Sequence, residues 1–278
     1  MNNKVKLLYK YLFLIAFGYV FLYPFLFLIS SSFKTDTEIL SSMSLIPKSL
    51  AFSSYAKGWH SVGRQNFGAY IFNSIQIVVP VVIFSIISSS IVAYGFARFR
   101  FRLRNFLFYV MISTLMLPNA VTIIPKYILF NQLGWINSYK VFIIPAVFAT
   151  YPFFIFLMMQ FLRGIPRELD EAAFVDGCST FDIFLRILMP LSKPAIFSIA
   201  IFQTVWTWND YFNPLIFISP VQKYTVMQAL RMSMDTTTTV SWGPVMAMSL
   251  LSMIPCIIIF FSAQNYFIEG IATTGIKG

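Results

Sequence analysis

The stretch NSIQIVVPVVIFSIISSSIVAYGFA, residues 73–97, followed by RFRFRLR at 98–104, decides the fold. A helix of about 20 residues, rising about 1.5 Å per residue, crosses a hydrocarbon core. Residues 73–97 exceed that length without a single Asp, Glu, Lys or Arg. The arginines Arg98, Arg100, Arg102 and Arg104 then close the run, as basic residues close segments that lie in lipid.

The same kind of segment recurs at Tyr11–Ser32, Asn105–Phe130, Tyr139–Leu162, Pro194–Ser219 and Val245–Ile268. Six transmembrane helices in an all-α integral membrane protein are therefore expected. Composition agrees: 58% of the 278 residues are hydrophobic and only 11% charged, against about 25% charged in soluble domains. A mean hydropathy of +0.75 calls for lipid as the solvent of one face of most helices. Lys4, Lys6 and Lys10 ahead of the first run resemble a signal peptide. Tyr11–Ser32 is nevertheless longer than a signal core of about 7–15 residues and has no A-x-A cleavage site, so it reads as a retained first span.

The net charge of +10 is distributed at the ends of apolar runs, which points to membrane orientation and not to nucleic acid. Lys4, Lys6 and Lys10, the arginines at 98–104, Arg163, Arg167, Arg186 and Lys193, and Lys277 all fall on one side of a six-span chain. That side is cytoplasmic by the positive-inside rule and holds both termini. Cys178 and Cys256 form no metal-ligand or redox spacing, and no cofactor, metal or catalytic residue is expected. Pro24, Pro80, Pro118, Pro125, Pro145, Pro152, Pro214 and Pro255 fall within or beside spans, where each removes a backbone hydrogen bond and favours a kink.

Between the fourth and fifth spans, Gly164–Pro190 holds Glu168, Asp170, Glu171, Asp176 and Asp182, half of the ten acidic residues. Pro166 suits the first turn of a helix, the acidic residues suit its N-terminal end, and Gly177 suits the left-handed residue that ends it. Ser179, three residues before Asp182, predicts a capping box and a second helix through Ile183, Phe184, Ile187 and Leu188, stopped by Pro190. Leu169, Ala172, Ala173 and Asp176 share a face at helical spacing, and small residues there let another surface approach closely.

The run Glu171-Ala172-Ala173-Phe174-Val175-Asp176-Gly177, with Ile187-Leu188-Met189-Pro190 after it, resembles the EAA loop of permease subunits in bacterial ATP-binding-cassette importers. Ala93–Phe101 is similar to the junction after the second span in the carbohydrate branch of that family, Tyr266–Ala272 with Gly275–Gly278 to its C-terminal signature, and Trp206–Tyr211 to a segment of its fifth span. The chain resembles the maltose-type second permease. The resemblance implies the type I importer architecture, with kinked spans and a cytoplasmic coupling helix. Residues 1–72 would supply the first span and an external loop, and residues 73–278 a five-helix core with the EAA loop at 164–190.

It further implies that Glu171, Ala172, Ala173, Asp176 and Gly177 dock the loop on a cytoplasmic ATPase subunit. No G-x-x-x-x-G-K-[ST] loop occurs in the chain, so nucleotide belongs to a partner. The implied partners are a second homologous permease, two ATP-binding subunits, an extracytoplasmic solute-binding protein, an oligosaccharide and membrane lipid. The implied location is the bacterial inner membrane.

Asn209 and Asp210 lie in an otherwise apolar run, and an ionisable group at membrane depth needs a cavity, water or a partner. With Trp206, Tyr211 and Asn213 they form a candidate sugar path, since aromatic faces beside hydrogen-bonding groups suit sugar rings. Helix pairing by Asp210, with the tryptophans as packing, is the competing reading. Cargo such as a polyol phosphate stays open. An ion-coupled transporter would need more intramembrane carboxylates than Asp210 and a repeated half, which is not evident. The Pro220–Pro244 loop, with Thr236–Thr239, reads either as reaching toward the binding protein or as an exposed linker.

Overall fold

The computed structural model describes residues 3–60, 65–234 and 240–275. Thr236–Thr239 and Lys277 lie outside the described residues. The described chain is helical, with no strand.

Four helical stretches are long and apolar enough to cross a membrane: Leu7–Ser31, Phe67–Arg98, Lys140–Gly164, which is interrupted between Val147 and Pro152 with Ala149 at φ 55°, and Trp242–Ser262. Arg104–Met116 with Asn119–Gln132, bent by 104°, and Thr180–Leu191 with Lys193–Trp208, bent by 73°, complete six if each pair counts as one span. The third span is thus broken where a kink was expected. Pro118 takes an extended backbone (φ −61°, ψ 140°) and caps the second half, and Leu117 before it is extended too, because the proline ring disfavours a helical neighbour. Pro24, Pro80, Pro125, Pro145 and Pro255, in contrast, sit inside helices.

The expected run Pro194–Ser219 is also not one helix. Its helix, Lys193–Trp208, ends at Asn209, and a short one, Phe212–Phe217, follows. Asn and Asp side chains satisfy backbone groups locally and so favour such breaks. Asp210 does this here, accepting from the Asn213 backbone N–H at 3.1 Å and from its Nδ2 at 2.7 Å. Pro190 does not stop the second loop helix. A π-helical turn, Ile183–Leu188, widens the backbone ahead of it, Pro190 takes the first turn of Met189–Leu191, and the chain turns only at Ser192.

Contacts gather the chain into two units. The first is Met1–Ile71 with Gln228–Ile254 and the second Phe72–Met227 with Pro255–Gly278. In the first unit the chain beyond Ser31 folds back on the exit of the first helix. Lys34 is fully buried, donating to the Ser44 carbonyl, with its Nζ 5.2 Å from the Phe27 ring centroid. Asp36 accepts from the Gly243 N–H at 2.7 Å, and Glu38 from the Lys48 N–H at 2.8 Å. A Cβ on Gly243 would lie 2.7 Å from Ser54 Oγ, so that close approach requires glycine.

The main core of the second unit joins the C-terminal end of Phe67–Arg98 (Ala93, Phe96, Ala97) to Phe154, Met158, Met159 and Leu162 and to Ala173, Leu188, Ala195 and Ile199. The Pro220–Pro244 segment carries a helix the sequence reading lacked, Val226–Ser233, whose Val226, Ala229 and Leu230 are buried.

Candidate coupling loop and cavity

Glu168–Val175 forms a helix with Glu168, Asp170 and Glu171 in its first turn, where carboxylates complement the unpaired N–H groups. It ends in a Schellman turn. Cys178 N–H donates to the Ala173 carbonyl at 3.0 Å, Gly177 N–H to the Phe174 carbonyl at 3.1 Å, and Gly177 sits at φ 82°. The half-buried Cys178 packs against the core beside Ala173. Ser179 then caps the next helix: its Oγ accepts from the Asp182 N–H at 3.1 Å, and Asp182 closes the capping box. The hydrogen bond from the Ser179 hydroxyl, with Arg186 contributing, holds the Asp182 carboxyl below the usual carboxylate range.

The expected docking residues divide between two faces. Glu171, Ala172, Asp176 and Gly177 are exposed, whereas Ala173 is 5% exposed and belongs to the chain's own core with Ala93 and Ala97. Phe174, Val175 and Phe181 are 67%, 88% and 68% exposed. These apolar side chains escaped the sequence reading, which followed charged and small residues. The inner face is tied to the second-span helix: Arg98 Nε lies 2.7 Å from Asp170 Oδ2, Tyr94 donates to the Thr180 carbonyl at 3.1 Å, and Arg167 to the Ala97 carbonyl at 3.3 Å.

A cavity of about 840 Å³ lies where the chain breaks at Pro118, Ala149 and Asn209. Trp206, Asn209, Asp210 and Asn213 line it together with Asn119, Lys126, Tyr151 and Gln203; Tyr211 does not. Trp206 packs on Phe154, ring centroids 5.2 Å apart and nearly parallel, while Trp208, two residues on, turns into the core. Gln203 is buried and donates to Thr207 Oγ1 at 2.8 Å. Asn119 reaches Asn213 at 3.5 Å, linking the two broken spans. The wall thus sets amides, a carboxylate and an ammonium into a mainly apolar, aromatic lining that includes Phe130, Phe142 and Phe148. Among the described residues no cluster of three or more His, Cys, Asp or Glu side chains is placed to hold a metal.

A family described as "Binding-protein-dependent transport system inner membrane component" matches residues 82–272. The arabinooligosaccharides transport system permease protein AraQ of Halalkalibacterium halodurans is 30% identical over 284 residues, 100% of both chains. The trehalose/maltose transport system permease protein MalG of Thermococcus litoralis is 29% identical over 264 residues, 95% of this chain and 94% of that one. A chain in the crystal structure of a bacterial ABC transporter involved in the import of the acidic polysaccharide alginate superposes with a TM-score of 0.81 at 24% identity, covering 95% of this chain and 97% of that chain. At that identity the likeness is one of fold.

Proposed function

The chain belongs to the family of binding-protein-dependent transport system inner membrane components, and on that premise we propose that it is the permease of an importer for sugars, oligosaccharides in particular, driven by a separate ATPase. The cargo class follows the names of the relatives, AraQ and MalG. The observation that carries the coupling role is the loop at 164–190: a short helix presenting Glu171, Ala172 and Asp176 outward, closed by left-handed Gly177 and followed by a capped second helix. In this reading Phe174 and Val175 add the apolar centre that a stable docking contact needs.

The assembly is a second homologous permease, two cytoplasmic ATP-binding subunits and an extracytoplasmic binding protein. Both termini and the loop face the cytoplasm, following the basic residues. Residues 73–278 form the core, and residues 1–72 the first span with its outer segment. The cavity beside Trp206 is the sugar path, with Asn209, Asp210 and Asn213 meeting hydroxyl groups and Trp206 a ring face, while Tyr211, outside the lining, takes no part in it. Lys126 on the same wall favours, as the second reading, a cargo carrying negative charge.

The test is purification of the tagged chain in mild detergent, identification of the co-purifying subunits, and ATP hydrolysis with candidate oligosaccharides and their binding protein. Recovery of an ATP-binding subunit whose hydrolysis rises with one loaded binding protein supports the reading and names the cargo. A stable complex without any ATP-binding subunit would refute it.

A further inference from the structure

We propose that Arg98 and Asp170 form the strut through which the coupling helix and the second-span helix move as one piece. The second-span helix, Phe67–Arg98, ends on the arginine itself. Its guanidinium is held at two points of the loop, Nε 2.7 Å from Asp170 Oδ2 and Nη2 donating to the Ile165 carbonyl at 3.1 Å. The side chains are 7% and 22% exposed, so the charges attract in a medium much less polar than water. The other ion pair among the described residues, Arg186–Asp182, is an exposed i,i+4 contact along a single helix.

Position gives the pair its role. Tyr94 holds Thr180 after the coupling helix and Arg167 holds the Ala97 carbonyl before it, but Asp170 is the charged tie on the helix itself. It shares the inward face with Ala173, while Glu171, Phe174 and Val175 face out. A push on the outer face thus meets, directly behind it, an ionic contact to the end of a membrane-spanning helix. Dispersion contacts alone let helices slide, whereas a short, partly buried charge pair resists separation because each charge would be left without its partner. Arg98 and Asp170 are positioning residues: they act through the two helices they join.

The inference rests on the coupling helix docking on the ATPase, so the experiment reads both. In the complete complex reconstituted in liposomes with its binding protein, sugar moved per ATP hydrolysed is measured for Arg98→Ala, Asp170→Ala, the conservative Arg98→Lys and Asp170→Asn, and the exchanged pair Arg98→Asp/Asp170→Arg. In parallel, Val175→Cys, in a chain with Cys178 and Cys256 replaced by serine, is cross-linked to the ATPase. Expected are intact assembly, a fall of about fivefold or more in sugar per ATP for the single changes, and recovery to within about twofold in the exchanged pair. Arg98→Lys and Asp170→Asn fall between, and they carry the measurement if the alanine variants do not assemble. Unchanged sugar per ATP in assembled single variants, or an exchanged pair no better than either alone, overturns the strut. Absence of the Val175 cross-link in the complex with Arg98 and Asp170 intact overturns the docking reading itself, and the strut falls with it.

Discussion

Gly177 is held at φ 82°, yet a Cβ there would meet no atom within 4 Å. The need for glycine is thus conformational and not steric. Gly177→Ala costs about 1–2 kcal/mol in the left-handed region, and Gly177→Asn less, because Asn tolerates it. The expected result is faster amide exchange at 174–178 in the alanine variant, with the asparagine variant close to wild type. Its neighbours in the motif separate in the same way. Ala173→Leu overpacks a closed core at about 1–3 kcal/mol and lowers the melting temperature of the purified chain. Ala172→Leu, on the open face, leaves melting unchanged and weakens co-purification of the ATPase. Gly177 and the Ser179–Asp182 cap were legible in the sequence because their chemistry is completed within a few residues. The split between Ala172 and Ala173 was not, because it depends on Ala93 and Ala97 in another span. Nor was the pairing of Arg98 with Asp170, two residues on separate motifs that only the fold brings together.

At the scale of elements, apolar length announced the spans, but it could not tell an uninterrupted helix from a broken one. Pro80 and Pro118 read alike, yet one lies inside a helix and the other sits at a 104° bend, where Asn119 opens onto the cavity. The wall of that cavity was half legible: Trp206, Asn209, Asp210 and Asn213 were found by their polarity in an apolar run, whereas Lys126, Tyr151 and Gln203 come from other elements or other turns. Trp206→Ala is expected to reduce transport while leaving assembly intact, measured as uptake per recovered complex. The capping box gives an element-level expectation too. Ser179→Ala loses about 1 kcal/mol at the start of the second loop helix, seen as faster exchange of the 180–183 amides. Asp182 titrates lower folded than unfolded, so its contribution is full at neutral pH and is lost as acid takes the carboxyl through its folded value. Exchange at those amides therefore rises in acid beyond its intrinsic pH dependence in wild type, and less so in Ser179→Ala.

Across the whole molecule the chain divides its surfaces by solvent. The first helix, Leu7–Ser31, shows exposed Leu, Phe, Ile and Val on most of its length, as suits lipid. The loop at 164–190 shows Phe174, Val175 and Phe181 on its surface, on the side proposed to face the cytoplasm. A copy synthesised ahead of its partners carries that wet apolar knob uncovered, and such a surface is what proteolytic quality control binds. Cellular abundance of this chain is therefore expected to follow the supply of its ATPase. In pulse-chase labelling its half-life shortens when the ATPase gene is silenced, and Phe174→Ser/Val175→Ser lengthens the half-life of the orphan. The residues proposed to hold the assembly together would also set a clock on every copy that fails to join one.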